Sequence, residues 1–302
     1  MLHSRLLRYL EEVSRAGSIR AAAERLNVAS SAINRHILEL EAELGTPLFQ
    51  RLPRRLRLTA AGEVVIAHVR ETLKAHDAMQ ARLAELAGLR SGHVTIATMG
   101  GLASGILPSV VEKFRIRHPR IVVTTRVLFI NDIVRAIQEA EADLGLGYNL
   151  PDQPSLHVAG LFDGRLGAVV SAGHPLASRG SVRLFECVEF PIVLADRDVL
   201  IHRMVCDAFE RANVPMQPAC LSNSIEHMKA MVLAGEGVAF LSRFDIAEDL
   251  RAGTLAFVRI EPHALGRNPL KLVHAASRSL DLAPSLFAEG LSRRLQDLVE
   301  VA

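Results

Sequence analysis

Two helical runs with almost nothing between them constrain this chain more than any other feature. Ala22 and Leu26 form an i, i+4 apolar pair, and Ile33, Ile37, Leu40 and Leu44 mark one stripe of a longer run. Leu26-Asn27-Val28 leaves room only for a tight turn, so the two predicted helices are forced into a bent pair. An earlier helix is read from Leu6, Leu10 and Val13 at i, i+4 and i+7. Gly17 ends it, and Ser18, whose hydroxyl can accept from a free backbone N–H, starts the next. Gly45, with Pro47 two residues on, is expected to stop the third helix.

The period then changes. Arg55 and Arg57 alternate with Leu56 and Leu58, which is strand spacing, and Pro53-Arg54 supplies a turn back toward Gln50-Arg51-Leu52; a small basic hairpin is predicted. Thr59 can cap a helix that runs without proline to about Leu86, with Ile66, Val69, Leu73, Leu83 and Ala87 spaced by threes and fours. His76 and Gln80 interrupt that stripe. A helix of roughly 28 residues would be about 42 Å long. It is read as a dimer contact, the alternative being a linker that lies on its own domain.

From Val94 onward strand and helix alternate. Strands are predicted at Val94–Thr98, Ile121–Val127 and Asp143–Gly147, with helices at Leu102–Arg117 and Asn131–Glu139 between them. Similar units recur at Ile192–Leu194, Val199–Arg211, Ala219–Leu221, Ser224–Ala234 and Val238–Phe240, and a strand at Leu270–Ala275 and a helix at Pro284–Val299 close the series. That alternation predicts parallel sheets covered by helices, in two α/β lobes of about 100 residues each, with the final helix returning to the first lobe.

The 302 residues are enough for more than one core, and 49% hydrophobic with 23% charged residues excludes disorder and low complexity. No apolar run approaches the ~20 residues of a membrane span. Glu11 and Glu12 arrive before any apolar export segment could, and Cys187, Cys206 and Cys220 are too few and odd in number for a disulfide framework; a cytoplasmic chain with buried thiols is expected. The net charge of +2 hides an asymmetry: residues 1–60 carry ten Arg, no Lys and six Glu, whereas the remaining 242 carry 25 basic against 27 acidic residues. A positive module suited to a polyanion therefore precedes a mildly acidic body.

On the third helix Ile33, Ile37, Leu40 and Leu44 point one way. Ser31 and Arg35 point the other, flanked by Asn34, with Leu38 among the polar set. An exposed N-terminal half offering Ser30, Ser31, Asn34, Arg35 and His36 after a short helix and a tight turn has the form of a groove-reading helix. Short hydroxyl and amide groups allow close approach to base edges, and Arg35 can reach a guanine edge or a phosphate. Arg54, Arg55 and Arg57 of the hairpin can follow the flanking backbone or enter the minor groove, which adds affinity more than sequence choice.

Several segments then form one pattern. Arg8-Tyr9-Leu10, Gly17 to Val28, Ala32-Ile33-Asn34-Arg35, Leu40 to Phe49 and Leu58 to Gly62 resemble, in order and spacing, the N-terminal signature of LysR-type transcriptional regulators. Ile106-Leu107-Pro108, Phe114 to Pro119, Ala142-Asp143-Leu144, His174-Pro175-Leu176 and Ala234 to Leu241 extend the resemblance through the body. It implies an α/β chain with an N-terminal all-α winged helix-turn-helix over 1–59, in which Ser18 and Arg20 join the DNA-facing set. A long dimerising linker helix would follow over 60–89, then a two-lobed effector domain similar to periplasmic binding proteins over 90–302. Lobe I would hold about 90–162 and 267–302 and lobe II about 163–266. The implied partners are double-stranded promoter DNA, a small-molecule effector, further copies of the chain as a dimer of dimers, and RNA polymerase, with no membrane. Ala29-Ser30-Ser31 departs from the family's Ser followed by Gln-Pro or Pro-Ser, and Asn34 and His36 replace its Ser and Gln, so cap and operator are where this chain differs.

Open α/β sheets bind ligands at the carboxyl ends of their strands. The candidates are Thr98, Met99, Gly100 and Gly101; Ile130 and Asn131; and Ser222 and Asn223 with Ser224. By resemblance the segment of Leu200, His202 and Arg203 joins them. Helix N-termini converging on a crevice point to an anion, hence a carboxylate-bearing effector; Met99, Met204, Met228 and Met231 would instead make the crevice more apolar. His202 and Cys206 at i, i+4 lack the further ligands of a metal site, no complete phosphate or dinucleotide fingerprint occurs, and no nucleophile with its base is found. No cofactor, metal or catalytic residue is expected. The alternative from another class is an α/β solute-binding protein or enzyme whose N-terminal helices serve only for oligomerisation.

Overall fold

The computed structural model describes residues 5–52, 55–86, 92–235, 237–261 and 265–300. They form two compact units, residues 1–90 with 139–141 and residues 91–138 with 142–302.

In the first unit α1 (Arg5–Ala16), α2 (Ile19–Leu26) and α3 (Ser30–Leu44) are followed by an antiparallel hairpin of β1 (Phe49–Leu52) and β2 (Arg55–Leu58), then by α4 (Ala60–Leu86). Ser18 caps α2 through its side chain, and Asn27 turns the chain out of α2 in the left-handed region at φ 52°. Gly45 ends α3 at φ 67°, a conformation that glycine adopts without Cβ strain. The core holds Tyr9, Leu10, Val13, Ala22, Ile33 and Ile37 from the three helices, Leu48 just before the hairpin and Phe49 within it, and Ile66 and Val69 from α4. The first half of the α4 stripe is thus committed to its own domain. Leu44, expected in the buried stripe of α3, is exposed, because it is the last helical residue and lies past the edge of the core. The expected Pro53-Arg54 turn lies outside the described residues, as does Ala87 of the α4 stripe.

Three hydrogen bonds and an ion pair lock this arrangement. Glu41 of α3 accepts from the Leu48 N–H at 2.6 Å and the Phe49 N–H at 3.1 Å, and Leu56 N–H donates to the Gly17 carbonyl at 2.8 Å. Arg70 on α4 reaches Glu11 on α1 at 3.0 Å.

The second unit has two sheets. The first carries strands in the order β4-β3-β5-β13-β6, from β3 (Gly92–Thr98), β4 (Ile121–Val127), β5 (Leu144–Tyr148), β6 (Leu156–Asp163) and β13 (Pro269–Ala275). The second runs β10-β9-β11-β7-β12-β8, from β7 (Leu166–Ser171), β8 (Ser181–Val182), β9 (Ile192–Ala195), β10 (Pro218–Ser222), β11 (Val238–Ser242) and β12 (Leu255–Ile260). The helices are α5 (Gly100–Ser104), α6 (Leu107–Arg117), α7 (Ile130–Gln138), α8 (Leu184–Cys187), α9 (Leu200–Arg211), α10 (Ile225–Ala234), α11 (Ala247–Ala252) and α12 (Leu282–Glu300).

The sheets are mixed rather than parallel. β13 runs antiparallel to β5 and β6, and β7 antiparallel to β11 and β12, because the chain crosses between lobes there instead of returning through a helix. The single helix expected over Leu102–Arg117 is two, with Gly105-Ile106 at the corner and Pro108 in the first turn of α6. Alternation puts Val94, Ile96, Leu144, Leu146, Leu270 and Leu272 under α6 and α12, where Phe114 and Phe287 meet edge to face at 5.1 Å. Ala97 and Val273 turn to the other face, under Ile133 and Ile137 of α7. The second lobe has its own core around Phe209 and Phe240. Cys187 is buried, which pushes its thiol up to about 12, while Cys206 and Cys220 are only half-buried, correcting the expectation of three buried thiols.

Where the chain changes lobes, the buried Asn268 donates to the Gly164 carbonyl at 2.9 Å and accepts from Asn149 at 2.6 Å, tying both crossing segments together. Phe244 and Ala247, just after β11, sit in the core of the first lobe.

Candidate DNA-binding and effector sites

In the first unit the burial of Ile33 and Ile37 fixes the rotation of α3 and leaves Ser30, Ser31, Arg35 and Leu38 exposed, with Asn34 and His36 half-buried. Ala29 supplies no side-chain cap. The Arg35 guanidinium lies 3.7 Å from Glu39, one turn on. His36 Nδ1 is 2.7 Å from the Ala32 carbonyl and its ring meets Tyr9 edge-on, so it is held back toward α1 rather than standing in the exposed row. A carbonyl only accepts, so Nδ1 carries the proton. The Ser18 hydroxyl is engaged as the α2 cap, and Arg20 is exposed beside Glu24 at 3.3 Å. Arg57 is exposed on β2; the side chains of Arg54 and Arg55 lie outside the described residues.

In the second unit the predicted residues assemble as two clusters, each at the carboxyl ends of neighbouring parallel strands. In the first lobe Thr98 pairs with Val127, and Leu128 N–H donates to the Thr98 carbonyl at 2.8 Å, bringing Thr98–Gly101 beside Ile130 and Asn131. The Thr98 hydroxyl is spent inward, donating to the Leu146 carbonyl at 2.9 Å. In the second lobe Ser222 pairs with Ala195, Asp196 N–H donates to the Ser222 carbonyl, and His202 Nδ1 donates to the Ala195 carbonyl at 2.7 Å, bringing Leu200, His202 and Arg203 beside Ser222 and Asn223. Of the methionines, Met228 is core and Met231 is exposed.

Sequence reasoning missed the residues that join these clusters. Ser104 of α5 donates to Glu226 of α10, and Glu226 lies 3.4 Å from Lys229, which also bonds Asp249 at 2.9 Å. A Cβ on Gly101 would stand 2.5 Å from Asp245 Oδ1 and 3.1 Å from Ile225 Cγ2, so the two lobes meet here at glycine distance. Burial pushes the Asp245 carboxyl up to about 7, against the Ser242 N–H, Tyr148 and Lys229, which favour its charge; Glu226 opposes it. The Tyr148 phenol is raised well above its ordinary value by burial and by Asp245. The glycine pair Gly101 and Gly105 was the available signal.

A winged helix-turn-helix joined to a two-lobed α/β ligand-binding body is the architecture of a ligand-responsive DNA-binding regulator. Residues 4–63 match the bacterial regulatory helix-turn-helix of the lysR family and residues 87–296 the LysR substrate binding domain. The transcriptional dual regulator GltC of Bacillus subtilis (strain 168) is 31% identical over 246 residues, which cover 81% of this chain and 82% of GltC. A probable RuBisCO transcriptional regulator of Emiliania huxleyi is 25% identical, covering 86% of this chain and 85% of that protein. Among solved structures, full-length CbnR complexed with its target DNA superposes with TM-score 0.63 at 22% identity, over 96% of this chain and 99% of CbnR. A full-length single-substitution variant of OxyR from Pseudomonas aeruginosa gives 0.69 at 19%, over 99% and 97%. The chain belongs to the LysR family of transcriptional regulators: it binds DNA through its helix-turn-helix and carries an effector-binding domain, and it is not an enzyme. Its N-terminal helices are therefore more than an oligomerisation device. No described helix is long and apolar enough to cross a membrane.

Proposed function

We propose that residues 1–59 form the DNA-reading module, 60–89 the linker through which copies pair, and 90–302 the sensor, working in the cytoplasm as a dimer of dimers that engages RNA polymerase at the promoter. Ser30, Ser31, Asn34 and Arg35 meet base edges in the major groove, while Arg20, Arg54, Arg55 and Arg57 hold the phosphates; Ser18 and His36 fix the ends of that surface. The observation that carries this reading is the exposed row Ser31, Arg35 and Leu38 on a helix whose other side is locked into the core by Ile33 and Ile37. Electrophoretic mobility shift with the DNA upstream of the chain's own gene tests it. Loss of specific over random binding on Arg35→Ala supports it, and equal loss of both counts against it.

The effector is a small carboxylate-bearing molecule bound between the two strand-end clusters. Support comes from α9, whose first N–H groups have no side-chain cap and which carries Arg203 exposed beside its N-terminus. α10 supports it less, since Ser224 already caps it and Glu226 stands in its first turn. Binding that changes lobe closure would shift the spacing of paired DNA-reading modules and hence the bend of the promoter. A panel of organic acids compared with neutral isosteres by thermal shift decides the charge: stabilisation by neutral ligands alone overturns it.

A further inference from the structure

The DNA-facing row of α3 contains one residue with no polar function. Leu38 is 45% exposed, lies outside the hydrophobic core of the first unit, and stands seven residues after Ser31, four after Asn34 and three after Arg35, on their side of the helix. Leu40, two residues on, packs against the core, so the leucines of α3 divide between inside and outside. Glu39 compensates the nearest positive charge by holding Arg35, and a carboxylate at that point is repelled by phosphates. The surface around Leu38 is therefore suited to the floor of a groove rather than to the DNA backbone. On that floor one feature is apolar, the C5-methyl group of thymine, which none of the other three standard bases presents in the major groove.

We propose that Leu38 is a specificity-determining residue that packs on a thymine methyl in the operator, adding an apolar contact to the polar readout by Ser31, Asn34 and Arg35. The proposal rests on α3 being the groove-reading helix. A solitary exposed leucine is common on protein surfaces, so the test must detect the methyl group itself.

Duplexes are selected from a random-sequence library with the full chain, and each thymine of the preferred duplex is replaced in turn by deoxyuridine, which removes only the C5-methyl. The expected result is one position per half-site where the wild type loses about fourfold in affinity, the equivalent of the ~0.8 kcal/mol of one buried methyl group. Leu38→Ala, which folds because the side chain lies outside the core, binds the thymine and deoxyuridine duplexes alike, and Leu38→Met restores the discrimination. A preferred duplex without a methyl-sensitive thymine, or equal sensitivity in the wild type and Leu38→Ala, overturns the leucine contact alone. A selection that yields no preferred duplex overturns the groove-reading role of α3 and the contact with it.

Discussion

A Cβ on Gly105 would lie 2.5 Å from the backbone carbonyl oxygen of Asp245. Four residues earlier Gly101 stands equally close to the Asp245 carboxyl, so the turn after β11 is bedded on the bare backbone of α5. The Phe244 carbonyl oxygen would be nearer still to a Cβ on Gly105, at 2.1 Å, and neither carbonyl is a flexible side-chain end that could yield. Gly105→Ala is expected to destabilise the second unit by about 2–3 kcal/mol, the upper range for overpacking. Gly290→Ala is the matched control: nothing lies within 4 Å of its added methyl, and it sits in the interior of α12. Replacing an interior helical glycine there should stabilise by roughly 0.5–1 kcal/mol. Urea denaturation of both variants checks the contrast.

Asp245 makes stability depend on pH. Its folded value of about 7 lies above the ordinary 3.8, so between the two the folded chain binds a proton that the unfolded chain has released. Its contribution is therefore whole below 3.8 and declines as pH rises through about 7. Urea denaturation of the wild type should show this decline, and Asp245→Asn should flatten it. An unchanged slope in the variant would assign the dependence to other groups.

Glu41 is the brace between α3 and the hairpin, accepting from the backbone N–H groups of Leu48 and Phe49. Glu41→Ala should cost roughly 1–3 kcal/mol, the range for stranding a buried donor, and lower DNA affinity by loosening the wing. Glu41→Gln, which keeps one carbonyl oxygen, should recover much of both. Thermal unfolding and fluorescence anisotropy separate the two effects.

The two arginines of the proposed DNA surface should fail differently. Arg57→Ala removes an exposed charge from the hairpin, weakens binding to all sequences and lowers the salt slope by about 1. Arg35→Ala should cost about 1–3 kcal/mol on the preferred site and relax one base position. Anisotropy titrations across a salt series read both quantities.

Periodicity made α1 to α3 legible because Leu10, Val13, Ile33 and Ile37 each serve one core, and local spacing is enough to identify one face of a helix. It failed for β6, β7 and β12. The segment 166–171 is buried almost throughout and has no alternation, while Val158 and Leu161 of β6 face outward. Strand direction was equally hidden, since whether β13 runs with or against β5 depends on where the chain crosses between lobes, not on residues 269–275. Of the effector candidates, Thr98 to Gly101, Ile130, Asn131, Ser222 and Asn223 were legible from their places at strand ends and helix starts, whereas Leu200, His202 and Arg203 came only through the family resemblance. Ser104, Glu226, Lys229 and Asp245 were not legible, because they meet only where three distant segments come together.

β13 has a consequence for the order of assembly. It is inserted between β5 and β6, yet it is synthesised after every strand of the other sheet. During translation the lobe built from residues 166–260 can close while the earlier one still waits with a slot in its middle. For that interval β5 and β6 present unsatisfied edges to solvent, and the nascent chain depends on prompt arrival of a late segment to escape misassembly.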